Sequence, residues 1–342
     1  RLTPRRVTLR VGHFGQVCAA KWGYNRSMIR LFSSLLLLGA FVALPAWADT
    51  TPIPLHKGLS GQDRVGRLVW RGGIEMNFDD PRFGGISAME IDPGGRTLTA
   101  LTDRGHRAEL FLEYDLAGDL SAAKLIDLEP VTGAVGRSIE DDRNSDIEAI
   151  ARMPNGGWLV AFERNHRLLH FPASFAPLRS SPRLLMPPPG LERARSNRGI
   201  EAASETHDKK ILLIAEDLPT SRAFTFAWLG NGAEWTPMAY TLFPPYKPTG
   251  AALLPNGDIV VIERRFTPPG DVGTRIARIA RRSLRPGAPI QTTEIARLET
   301  PFVTENFEAV AARSAKRGQT LIYLASDNNF SDDQRNLLLM FE

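Results

Sequence analysis

The chain has 342 residues, 43% hydrophobic and 23% charged, with a formal net charge of +4 and a single cysteine. Residues 1–48 hold seven basic residues, no acidic one and that only cysteine, Cys18, so the remaining 294 residues carry −3 and can form no disulfide. A disulfide scaffold is thereby excluded for the main body, and its charge offers no footing for nucleic acid.

In chain order, Met28 and Arg30 precede an apolar run over residues 31–44 (LFSSLLLLGAFVAL), and Ala46-Trp47-Ala48 puts small residues at −3 and −1 of a cut before Asp49. Residues 28–48 therefore read as a secretory signal peptide, and the run is too short to span a bilayer. The first residue is Arg1, and residues 1–27 read as an upstream extension outside the true product, with a start at Met28. Arg5 and Arg6 lie too far from the apolar core for twin-arginine export. The remainder has no apolar span and no lipid-attachment cysteine, so the expected product is soluble, periplasmic or secreted. Residues 49–63 read as a linker and 64–342 as one folded domain.

Within that domain a strand at residues 67–71 (RLVWR) is followed by five similar units. Gly85-Ile86-Ser87-Ala88 leads to Thr102-Asp103-Arg104, and Asp146-Ile147-Glu148-Ala149 leads to Phe162-Glu163-Arg164. Gly199-Ile200-Glu201-Ala202 leads to Ala215-Glu216-Asp217, Thr249-Gly250-Ala251-Ala252 to Ile262-Glu263-Arg264, and Asn306-Phe307-Glu308-Ala309 to Ser326-Asp327-Asn328. Positions 87, 148, 201, 250 and 308 are spaced by 61, 53, 49 and 58 residues, the period of a four-stranded propeller blade with variable loops. Asp92-Pro93-Gly94-Gly95, Pro154-Asn155-Gly156-Gly157 and Pro255-Asn256-Gly257-Asp258 supply hairpin turn chemistry. The second strands (TLTALT, WLVAFE, ILLIAE, DIVVIE, LIYLAS) are short and apolar, as buried strands are. The last unit ends after a third strand at residues 336–341, so the strand at 67–71 is expected to complete it and close the ring. The predicted fold is an all-β propeller of about five four-stranded blades; a sixth irregular blade and a two-sheet sandwich of hairpins are the alternatives.

First strands line a propeller's channel, so the spacing predicts a ring of Ser87, Glu148, Glu201, Gly250 and Glu308. The second-strand ends add Asp103, Glu163, Glu216, Glu263 and Asp327, with Asn165, Asp217, Asn328 and Asn329 beside them. Carboxylates converging on one axis need protons, arginines or a cation to compensate them, and an all-oxygen donor set suits calcium or magnesium better than zinc. The segment from Asp327 to Asp333 alternates oxygens as calcium loops do, without the glycine and later glutamate of an EF-hand. Arg104, Arg164 and Arg264 follow the second-strand acids, and Arg143 and Arg198 precede two first strands; guanidinium groups at a channel mouth suit a phosphate or carboxylate, or pair with the adjacent acids. His106, His166 and His207 are placed on loops as acid–base candidates. His166 and His170 have i,i+4 spacing but fall in a strand, which excludes a zincin. There is no G-x-S-x-G elbow, P-loop or dinucleotide fingerprint, and scattered aromatics without a basic patch argue against nucleic acid.

Together the segments GGISAMEIDPGG…LTDRG, SDIEAIARMPNGGWLVAFERNHRL, NRGIEAAS…AED, PTGAALLPNGDIVVIERRF and ENFEAVA…YLASDNNF, spanning about residues 64–341, resemble the phytase-like domain, described as having esterase-like activity. The resemblance implies an exported bacterial propeller grouped with the propeller-fold phytases, which hydrolyse phosphate esters using calcium held by acidic residues at one channel end. The expectation is a calcium-assisted hydrolase of a small anionic phosphate or carboxylate ester. Glu148, Glu201 and Glu308 would hold the metal with Asp103 or Asp327; Glu148 and Glu201 would act with Arg104, Arg164 and Arg264, which position the anion. A non-catalytic binding or scaffold propeller and a gluconolactonase-type metal-dependent lactonase are the alternatives.

Overall fold

The computed structural model describes residues 49–59, 61–133, 138–139, 145–173, 178–267, 270–316 and 318–342; the segment expected to be a signal peptide and Arg143 lie outside them. Five separate antiparallel sheets follow one another along the chain, so the structure is a five-bladed propeller and not a two-sheet sandwich. Blade I runs through Ile86–Ile91, Thr97–Thr102, His106–Tyr114 and Leu120–Pro130. Blade II has Ile147–Arg152, Trp158–Phe162, Arg167–Phe171 and a two-residue outer strand, Arg183–Leu184. Blade III has Ile200–Glu205, Ile211–Ser221, Phe224–Gly230 and Trp235–Thr241; blade IV has Lys247–Leu253, Ile259–Thr267, Asp271–Ile279 and Thr292–Leu298.

Blade V takes Phe307–Ser314, Thr320–Ser326 and Leu337–Phe341 from the C-terminus and its outer strand, Leu68–Met76, from the N-terminal side. That strand lies antiparallel on the last one, with Leu337 opposite Glu75 and Leu339 opposite Gly73. The ring is therefore closed by pairing between sequence-distant strands, as the unfinished fifth unit predicts. Thr50–Pro52 adds a further strand outside it, opposite Ile74–Met76, so sheet begins inside the segment expected to be a linker. An edge strand covered in this way offers no template for another chain.

Every joint between blades is filled by its own apolar cluster. Phe162 and Leu101 pack at joint I–II, Leu159 and Leu213 at II–III, and Leu212 and Val261 at III–IV. Phe307 and Val260 pack at IV–V, and Met89 and Tyr323 at V–I. A blade buried on both faces must be apolar on both, and this explains why the second strands read as continuous runs rather than alternating ones; Trp158–Phe162 is buried at all five positions. The hairpin turns use the glycines expected, with Gly95, Gly156, Gly157 and Gly257 at φ between 74° and 86°.

One irregularity recurs in all five blades. The inner strand carries a bulge against the second strand, between Ile86 and Ala88, Ile147 and Ala149, Ile200 and Ala202, Pro248 and Gly250, and Phe307 and Ala309. A bulge leaves one residue unpaired and re-aims its side chain. The five residues so treated are Ser87, Glu148, Glu201, Thr249 and Glu308.

Candidate functional site

The bulges position the site. Ser87, Glu148, Glu201 and Glu308 occupy the ring that the spacing predicts, but in blade IV the ring residue is Thr249 and not Gly250. The same one-residue shift applies to the second strand. The backbone N–H groups of Asp103, Glu163, Glu216 and Asp327 donate to the carbonyls of Gly85, Asp146, Gly199 and Asn306, at 2.8 to 3.0 Å. In blade IV the residue opposite Lys247, at this level, is Arg264. Glu263 is one residue deeper and fully buried, where it accepts from the Tyr240 hydroxyl at 2.7 Å and pairs with Arg275. It is a structural group inside the blade, remote in role from the channel ring.

One end of the channel is thus a funnel with two tiers. The lower tier is Ser87, Glu148, Glu201, Thr249 and Glu308; the upper is Asp103, Glu163, Glu216, Arg264 and Asp327. The space on the axis at the lower tier is about 10 Å³, that of one water molecule or one bare ion. The hydroxyls at the two non-acidic positions turn sideways: Ser87 donates to the Ile147 carbonyl, and Thr249 to the Phe307 carbonyl at 3.2 Å. Both carbonyls precede a ring glutamate, so each hydroxyl braces the strand that carries one.

Burial and mutual repulsion set the protonation of this funnel. Burial, and then the carboxylates of Glu201, Glu308, Glu163 and Asp146, push Glu148 well above the usual carboxylate range. Burial and neighbouring Glu163 and Glu216 do the same to Glu201, while burial raises Glu163 to about 7 against the Gly199 N–H that it accepts. Glu163 and Glu201 act on each other carboxyl to carboxyl, and so do Glu308 and Asp327, the latter raised by burial and by Glu308 to about 8. Asp103, raised by burial and Asp146 to about 6, has a buried Oδ1 with no hydrogen-bond partner.

The basic groups are unevenly engaged. Arg264 pairs with Glu308 and donates to Asn306, which makes it a brace across the IV–V joint. Arg198 pairs with Asp217, and Lys247 meets the same carboxylate at 3.0 Å across the III–IV joint. Arg164 lies 2.6 Å from Asp146 Oδ2 with its side chain 62% exposed. Arg104 is exposed and stacks 3.5 Å over the Phe330 ring. Arg164 and Arg104 therefore face solvent at the mouth, whereas Arg264 does not.

Asp146, Glu148 and Glu163 each bring one oxygen to within 4.8 Å of the others. Calcium–oxygen bonds of about 2.4 Å span that separation, and carboxylates repelling one another in a buried ring form the donor set that a hard cation stabilises. The residues fit the group. The predicted ligand Glu148 belongs to this triplet; Glu201, Glu308, Asp103 and Asp327 line the same funnel, Glu308 beside Asp327 and Glu201 beside Glu163. Asp146 and Lys247 are missed by the sequence spacing, although each stands two residues before a ring position. In the tail loop two side-chain oxygens are engaged within the protein. Asp327 Oδ1 accepts the Asn329 N–H at 2.6 Å, and Asn328 Oδ1 accepts the Gly85 N–H at 3.0 Å, binding blade V to blade I.

The histidines separate. His106 is buried in blade I, and His207 lies at the opposite channel end. His166 stands beside the funnel, with Nε2 2.9 Å from the Arg195 carbonyl; a Cβ on Gly199 would lie 2.5 Å from His166 Nδ1 and 3.2 Å from Glu163 Oε1, so a larger residue there would have to displace the His166 ring.

A family model described as "Phytase-like: Esterase-like activity of phytase" matches residues 81–330, which holds all ten funnel positions. The chain belongs to the phytase-like family. Similar solved structures are a putative gluconolactonase (12% identity, TM-score 0.42, 87% of this chain and 93% of that one) and a luciferin-regenerating enzyme (12%, 0.37, 76% and 92%). Virginiamycin B lyase from Staphylococcus aureus is another (8%, 0.39, 86% and 100%). No curated protein matches this phytase-like chain in sequence.

Proposed function

We propose that this phytase-like propeller is a calcium-assisted hydrolase of small phosphate or carboxylate esters, exported to the periplasm or beyond by its N-terminal segment. The observation that carries this reading is the approach of Asp146, Glu148 and Glu163 to within 4.8 Å inside a ring of further carboxyls. Bound there, calcium would polarise the ester and lower the pKa of a coordinated water. The chain's own residues do the rest. Arg104 and Arg164, exposed at the mouth, orient the anionic end of the substrate. The Glu163–Glu201 pair holds one proton near neutral pH and can deliver it to a leaving oxygen or accept one from water. Arg264 holds Glu308 in place and opposes the rise that burial gives its carboxyl.

The test is calcium content and calorimetric titration of the purified protein, with hydrolysis of p-nitrophenyl phosphate and p-nitrophenyl acetate measured with calcium and with chelator. Calcium-dependent hydrolysis is expected, and Glu148→Gln should weaken calcium binding about tenfold or more. A wild-type protein that binds no calcium and cleaves neither ester overturns the reading. A second reading, a binding or scaffold propeller, is favoured by one observation: funnel side chains also stitch the blade joints, as Glu163 does to the Gly199 N–H and Arg264 to Glu308. Under that reading calcium binds without turnover.

A further inference from the structure

The channel has a second mouth, at the face opposite the funnel. There the ends of the five inner strands and their first hairpins enclose a cavity of about 390 Å³, a volume in the range of small-molecule sites. The funnel's lower tier, with about 10 Å³ on the axis, separates the two ends, so a ligand at one does not reach the other. Alanines on the inner strands, among them Ala203, Ala251 and Ala252, leave the bore open here.

Both acids in this wall have their counter-charge within the protein. Glu90 of blade I pairs with Arg152 of blade II at 3.8 Å, and Glu205 of blade III is met by Lys209 at 2.8 Å. Arg313 of blade V has no such partner. Its Nε donates to the Tyr323 hydroxyl at 3.0 Å and its Nη1 to the Ser314 carbonyl at 3.3 Å, both neutral acceptors. The groups that act on its charge are the phenols of Tyr323 and Tyr114, and no ion pair joins it to an acid among the described residues. The guanidinium is also fixed in place. It lies against Gly95, at φ 74°, where a Cβ would come within 2.3 Å of its Cζ. Blade V stands between blades IV and I, and these contribute Leu253, Leu254 and Ile91 to the wall on either side of Arg313. A half-buried cation with neutral partners thus stands in a ligand-sized cavity, flanked by aliphatic surface.

We propose that this cavity binds a short-chain aliphatic carboxylate, with its carboxylate on Arg313 and its hydrocarbon along Ile91, Leu253 and Leu254. A guanidinium is a planar fork of donors matched to a carboxylate, and this one spends two of its nitrogens on neutral acceptors and leaves Nη2 without one. A carboxylate brings the acceptor and the negative charge together. The acids of the wall do not oppose it, because Arg152 and Lys209 compensate them. A neutral alcohol would cover the same aliphatic surface but leave the guanidinium with neutral partners only.

The probe is sodium hexanoate, titrated calorimetrically into the purified protein with calcium and with chelator; 1-hexanol and sodium acetate are the controls. Hexanoate should bind about tenfold or more tightly than either, since the alcohol lacks the charge and acetate lacks the chain. Its affinity should be the same with calcium and with chelator, because a carboxylate held by a funnel ion would be lost with the ion. Arg313→Gln should weaken hexanoate about tenfold, the size of one charge-assisted hydrogen bond, and Arg313→Lys, which keeps the charge but not the fork, should fall between. Leu253→Trp, which fills the cavity from blade IV, should abolish binding, while calcium affinity stays unchanged in all three variants. The proposal is overturned by no hexanoate binding, by hexanol or acetate binding as tightly, by binding lost with chelator, or by hexanoate affinity retained in folded Arg313→Gln or Leu253→Trp.

Discussion

At the residue scale, two glutamates of the repeat pattern do opposite work. Glu263 resembles a channel acid in the sequence, since it precedes Arg264 as Glu163 precedes Arg164. In the fold it is sealed between Tyr240 and Arg275. Removing one member of a buried ion pair leaves the other uncompensated, which costs about 3 kcal/mol or more. Glu263→Gln should therefore lower the unfolding free energy read from urea denaturation by that amount without changing calcium affinity, and Glu148→Gln should weaken calcium binding with a smaller loss of stability. If Glu263→Gln weakens calcium binding as strongly as Glu148→Gln, the assignment of the two layers is wrong.

At the scale of elements, the bulge turns a repeated strand into a repeated site. It places a side chain on the axis in each blade, and the sequence can choose its chemistry blade by blade: hydroxyl in I and IV, carboxylate in II, III and V. Most of this was legible beforehand, because the motif repeats and its acids recur at one position. Blade IV was not legible. Its unit reads Pro248-Thr249-Gly250-Ala251, and matching the small residue Gly250 to the ring displaced the whole unit by one. Its second strand, Ile259–Thr267, also continues past Glu263, so the acid does not mark a strand end. Register is decided by hydrogen bonds to a partner strand, and a one-residue slip exchanges the faces. The closing strand shows the same dependence. Ile74 is fully buried between blades V and I, and Ile74→Ala should cost about 2–5 kcal/mol, read as a lower midpoint in urea. An unchanged midpoint would mean that the Leu68–Met76 strand does not lock the ring.

At the scale of the whole molecule, the clustered acids make stability depend on pH and cation together. Glu148, Glu163, Glu201 and Asp327 are all raised in the folded state. A carboxyl group raised on folding favours the fold while protonated, so that contribution is present below its unfolded pKa and is lost as pH climbs through the folded value. The chelated protein should therefore lose several degrees of melting temperature between about pH 5.5 and 8.5, as Glu163 near 7 and Asp327 near 8 ionise. Calcium should reverse the loss, because it binds the ionised form and stabilises the fold by mass action, and its affinity should rise over the same interval. Differential scanning fluorimetry across pH, with calcium and with chelator, measures both. A chelated protein whose melting temperature rises over this interval would contradict the protonation pattern of the funnel.

By itself the sequence determined the repeat, the five blades, the closure by an early strand and the gathering of acids at one channel end. These follow from period, apolar runs and turn residues, which are local properties. Only the tertiary structure decided which acids meet: that Asp146 joins Glu148 and Glu163, that Arg264 takes an acid's place, and that Glu263 turns inward. Those outcomes depend on strand register and on side chains brought together from different blades. No spacing along one strand encodes either of them.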